Sequence, residues 1–147
     1  MEDLRELFQI FVRRFGLLNA SCCDWCCGQE VSLVQSHILY EINRRQNPSM
    51  QQVAEALGMD ITTFSRQIKT LEQKGFVQKN LDPSDRRVSI LSLTDEGSKA
   101  EKVIDDRMRD YIDKILAQMT DFERDMVIKS IQLLNKTIVK SGCCCLL

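Results

Sequence analysis

Apolar residues recur at helical spacing from the start of the chain. Between residues 4 and 18 they fall at Leu4, Leu7, Phe8, Phe11, Phe15 and Leu18, one face of a predicted first amphipathic helix. Residues 19–29 break the pattern with small and polar side chains, four cysteines and Gly28. Helical spacing resumes with Val31, Val34, Ile38 and Ile42, and this second helix must end before Asn47-Pro48. Two shorter helical patterns follow, residues 49–57 and 60–74, separated by Gly58. Asp60 stands where an N-cap belongs and Gly75 where a C-terminal glycine belongs. A short helix, a glycine-containing turn and a longer helix outline a helix-turn-helix.

After Gly75 the period falls towards two. Residues 76–79 and 88–93 are strand-like, and the turn-prone Asp82-Pro83-Ser84-Asp85 joins them into a wing with a charged tip. A long helix over 95–119 carries Ile104, Met108, Tyr111, Ile112, Ile115 and Met119 on one stripe. A last helix opens at the capping-box pattern Thr120 to Glu123 and is expected to turn Phe122, Met126, Val127, Ile131, Leu134 and Ile138 inward. The fold class is therefore mainly α with a small β-wing. One domain over 1–147 holds a winged helix-turn-helix lobe at 49–94, flanked by helical regions at 1–46 and 95–147. Those outer helices have apolar stripes and no partner in a small lobe, so burial against a second copy in a symmetric homodimer is expected.

Within the helix-turn-helix, Ala54 lets the helices approach and Gly58 permits the sharp turn. Val53, Leu57, Phe64, Ile68 and Leu71 form the inner face. Ser49 heads the motif. Outward on the second helix lie Thr62, Thr63, Ser65, Arg66, Gln67 and Lys69, donors and cations suited to base edges and phosphates of a major groove. A polar face is by itself merely solvated. Here it follows a helix-turn-helix turn and precedes a wing tipped by Arg86 and Arg87, which suits a narrow, electronegative minor groove. The partner this predicts is double-stranded DNA.

These residues carry a resemblance. The run 53–77, then Asp82-Pro83-Ser84-Asp85-Arg86-Arg87, then Leu91-Ser92-Leu93-Thr94-Asp95-Glu96-Gly97 is similar to the MarR family of bacterial and archaeal regulators. The resemblance implies a triangular homodimer held by the first and last helices on a pseudo-palindromic operator. It implies that Arg86 enters the minor groove, that Asp85 braces it, and that the helix over 60–74 reads the major groove. Members usually repress, and an inducer or thiol oxidation releases them.

The formal net charge of −1 means that any basic surface is local. No stretch approaches the roughly 18 consecutive apolar residues of a membrane span, and the acidic and basic N-terminus lacks a secretory signal, so a cytoplasmic protein is expected. One histidine and no glycine-rich phosphate loop leave no catalytic constellation visible. The seven cysteines depart from the family pattern: Cys22, Cys23, Cys26 and Cys27 form one block, and Cys143, Cys144 and Cys145 lie in the tail. Adjacent thiols staple a fold poorly but suit a soft metal or metalloid, which thiolates select. Thiol oxidation, an organic inducer and a thiol-rich metal-handling protein stand as alternatives; buried apolar filler is the bland one. The tail only superficially matches a prenylation box. His37 reads as a core or rim residue, and Trp25 as a packing residue beside the cysteines.

Overall fold

The computed structural model describes residues 3–15 and 31–142. Its order is α1 (Leu4–Arg14), α2 (Leu33–Arg45), α3 (Met50–Ala56), α4 (Ile61–Gln73), β1 (Val77–Leu81), β2 (Ser89–Leu93), α5 (Asp95–Leu116) and α6 (Asp121–Ser141). The expected fold class is thus found, with a two-stranded antiparallel sheet in a helical chain. The part of the first predicted helix beyond residue 15 lies outside the described residues.

Local chemistry sets the boundaries. Ser32, Ser49 and Thr120 open their helices with capping boxes closed by Gln35, Gln52 and Glu123. Asp60 accepts from the Thr63 N–H at 2.9 Å, as its N-cap reading requires. Gly75, at φ +76°, carries the left-handed turn that ends α4. Its N–H donates to the Glu72 carbonyl and that of Phe76 to the Leu71 carbonyl, both at 3.0 Å, which is a Schellman closure. Phe76 is therefore spent on ending a helix. That is why β1 begins at Val77 rather than at 76, and it runs on to Leu81 rather than stopping at 79.

The strands pair from Val77 with Leu93 to Leu81 with Ser89. Ser49 adds an isolated bridge to Ile90, and the Leu91 N–H donates to the Pro48 carbonyl at 2.8 Å, tying the start of α3 to the sheet. One core gathers Val31, Ile38, Leu39, Ile42, Val53, Ala54, Phe64, Ile68, Leu71, Phe76, Val77, Leu91 and Ala100, so α2, α3, α4, the sheet and the start of α5 pack together. Leu57 is partly buried against it.

The apolar stripes of the outermost helices, α1 and α6, are uncovered among the described residues. No side chain of α1 or α6 is buried. Phe122 is 76% exposed and Ile131 50%, and Met126, Leu134 and Ile138 are likewise exposed, with Val127 intermediate. Among the described residues, the stripe predicted to face inward is left uncovered. Helical period reveals that a stripe exists but not what covers it. The α5 stripe does better: Ile104, Met108, Tyr111, Ile115 and Met119 are half-buried, although Ile112 is exposed. Phe15 meets the edge of Tyr111 with ring centroids 5.8 Å apart, linking the end of α1 to α5.

Candidate nucleic-acid interface

The outward face of α4 is built by the burial of its inner face. Phe64, Ile68 and Leu71 are at or near zero exposure, which fixes the helix rotation and leaves Thr62, Thr63, Ser65, Arg66 and Lys69 exposed as expected. Gln67 departs from that set. It is half-buried, and its side-chain oxygen accepts from Gln35 Nε2 at 3.2 Å. Gln35 Oε1 in turn accepts from Lys74 Nζ at 3.2 Å and from the Ser32 N–H at 3.3 Å. Gln67 thus looks across to α2. Ser49 also has a local task, because its hydroxyl oxygen accepts from the Gln52 N–H at 3.1 Å and its own N–H donates to Gln52 Oε1 at 2.9 Å.

A shallow groove runs along α4 and β1, lined by Ile61, Thr62, Ser65, Arg66, Lys69, Glu72 and Lys79. Ile61, Glu72 and Lys79 were missed by sequence reasoning. Lys79 sits in a strand read only as the stem of the wing. Ile61 is apolar in a face sought for its polarity.

The wing tip is a braced turn. The Asp82 N–H donates to the Val88 carbonyl and the Val88 N–H to the Asp85 carbonyl, both at 2.9 Å. Asp82 Oδ1 accepts from the Ser84 N–H at 2.8 Å and the Ser84 hydroxyl at 2.7 Å, and these bonds hold its carboxyl below the usual range. Asp85 braces Arg87, not Arg86. Its two oxygens take Arg87 Nε at 3.0 Å and Nη2 at 3.1 Å, and Oδ1 also takes the Arg87 N–H. The Arg87 guanidinium therefore holds the Asp85 carboxyl low. The turn brings the side chains of Asp85 and Arg87 together. Arg86 is exposed, and no ion pair engages it among the described residues.

Behind the reading head, α2 meets α5 through a polar joint. Glu101 is only 7% exposed and accepts from Asn43 Nδ2 at 2.8 Å. Burial pushes its carboxyl above the usual value, as does the charge of Asp105, while the Asn43 bond and Arg109 pull the other way. His37 is exposed at the rim of the groove beside this joint, with Tyr40, Asp105 and Met108. All seven cysteines and Trp25 lie outside the described residues, and among the described residues no cluster of His, Cys, Asp or Glu could hold a metal ion. No described helix is long and apolar enough to cross a membrane.

A capped helix-turn-helix whose second helix is followed at once by an arginine-tipped hairpin, with both packed on one core, defines a winged helix-turn-helix protein. Residues 31–89 match the model of the MarR family. Over that segment, which runs from the residues before α2 to the start of β2, the chain is similar to the MarR family of winged helix-turn-helix regulators. YxaD of Bacillus subtilis, an HTH-type transcriptional regulator, is 30% identical over 90 residues, covering 61% of this chain and 63% of YxaD. The fold is that of Streptococcus pneumoniae FabT solved in complex with DNA, at TM-score 0.83 and 19% identity over 93% of this chain and 96% of FabT. A crystal structure of MarR gives TM-score 0.78 at 23% identity, covering 96% of this chain and 94% of the other.

Proposed function

We propose that this chain is a homodimeric transcriptional repressor working in the cytoplasm, with α4 in the major groove of a pseudo-palindromic operator and Arg86 in the adjacent minor groove. The observation that carries the reading is the division of labour at the wing: Asp85 occupies Arg87 and leaves Arg86 exposed, while the exposed face of α4 bears Arg66 and Lys69. Such cations neutralise phosphates, and Thr62, Thr63 and Ser65 supply donors for base edges and backbone. The exposed apolar stripes of α1 and α6 are the surface a second copy would bury. The DNA-bound state of the structural neighbour FabT is consistent with this use of the fold.

The test is selection of binding sites from a pool of random-sequence duplexes by the full chain. Enriched sequences should be two-fold symmetric, with half-site centres about 10 base pairs apart. Enrichment without symmetry would remove the dimeric operator, and no enrichment would remove the DNA reading.

The signal is proposed to be a soft metal or metalloid held by Cys22, Cys23, Cys26 and Cys27, with Cys143, Cys144 and Cys145 able to join. The sulfur donor set favours this reading, because three or four thiolates satisfy trigonal or tetrahedral ions. Thiol oxidation is the competing reading, and one or two thiols would serve it. Anaerobic titration of the reduced protein with arsenite, Cd(II), Zn(II) and Cu(I) should show thiolate-to-metal absorption that saturates at about one or two ions per chain. The absorption should vanish in the Cys22/Cys23/Cys26/Cys27→Ser variant, which should still bind DNA. Absence of binding in the wild-type chain would shift the assignment to oxidation or an organic inducer.

A further inference from the structure

Ile61 is the first residue of α4, and it is 47% exposed on a helix whose other large apolar side chains, Phe64, Ile68 and Leu71, are buried. The fold makes little use of it. The N-cap is supplied by Asp60 through the Thr63 N–H, and a β-branched residue has no propensity advantage in a helix. Half of its side chain gains nothing from burial. Yet it lines the same groove as Thr62, Ser65, Arg66, Lys69 and Lys79, so whatever those cations hold also meets Ile61.

From these observations we propose that Ile61 is a specificity-determining residue that reads the C5-methyl of a thymine once in each half-site. The inference rests on the DNA-binding reading above. In this kind of motif the N-terminal residues of the second helix meet base edges, and the thymine methyl is the one apolar group that a base pair shows in the major groove. Arg66 and Lys69, one and two turns further along the helix, supply the charge that holds the backbone. Ile61 supplies a contact that exists for one base and for no other.

The experiment uses the duplex that the wild-type chain enriches from the random pool, with thymine replaced by uracil at one position at a time, which deletes the methyl and keeps the base pair. One thymine per half-site should weaken binding by about fourfold when demethylated, the scale of one buried methyl group. For Ile61→Ala the same replacement should cost nothing, and selection by that variant should lose the thymine at that position. Its melting temperature and salt dependence should match the wild type, since the side chain is outside the core and carries no charge. A uracil penalty that persists in Ile61→Ala assigns the methyl to another group such as Thr62 and overturns the proposal. A variant that weakens on every sequence alike overturns it as well. If the wild-type chain enriches no sequence, the underlying DNA reading has failed, an outcome distinct from a thymine preference that ignores Ile61.

Discussion

Gly97→Ala is expected to destabilise the protein by about 3 kcal/mol and to lower its melting temperature by roughly 10 °C. A Cβ at this position would overlap the carbonyl of Phe76, and because that carbonyl belongs to the backbone, no rotamer change relieves the clash. Three short bonds leave no slack. Thr94 donates its hydroxyl to the Gly75 carbonyl at 2.6 Å and accepts from the Gly97 N–H at 2.9 Å, while its own N–H donates to the Phe76 carbonyl at 3.0 Å. The first turn of α5 is thereby stitched to the turn between α4 and β1. Urea or thermal unfolding of the variant measures the effect, and an unchanged melting temperature would mean that α5 does not sit this close to Phe76. The threonine and glycine of the motif after the second strand thus have a packing reason independent of DNA.

Arg86→Ala is expected to weaken operator binding about tenfold or more and to reduce the salt dependence of binding by roughly one unit in slope. Arg87→Ala should cost less, because the Arg87 charge is already paired with Asp85 by two side-chain bonds and its loss removes a brace rather than a contact. Anisotropy titrations over a series of salt concentrations separate the two variants. A larger loss for Arg87 than for Arg86 would exchange their roles.

Much of this architecture was legible because it is written in local chemistry. Helical period located the six helices of the described residues, and the caps at Asp60 and Thr120 and the glycine after α4 sit where their side chains predict. What escaped depends on partners distant in the chain or on turn geometry. Gln67 reads as outward by spacing alone, but Gln35, 32 residues away, captures it. Glu101 is an acidic residue on a charged helix until Asn43, 58 residues away, is brought against it. Asp85 and Arg86 are neighbours in sequence, yet the tight turn delivers Asp85 to Arg87. The stripe of α6 was seen, but a period cannot name what covers a face. Ile61 was passed over because the face was searched for charge and hydrogen-bonding groups.

The amide of Gln35 has a mechanical consequence. With one side chain it closes the cap at the start of α2, three residues beyond the N-cap Ser32, and grips both the middle and the end of α4. Its bonds, at 3.2–3.3 Å, are already near the long end of the hydrogen-bond range. The entry of α2 is thereby tied to both the middle and the end of α4, the helix whose rotation the burial of Phe64, Ile68 and Leu71 fixes.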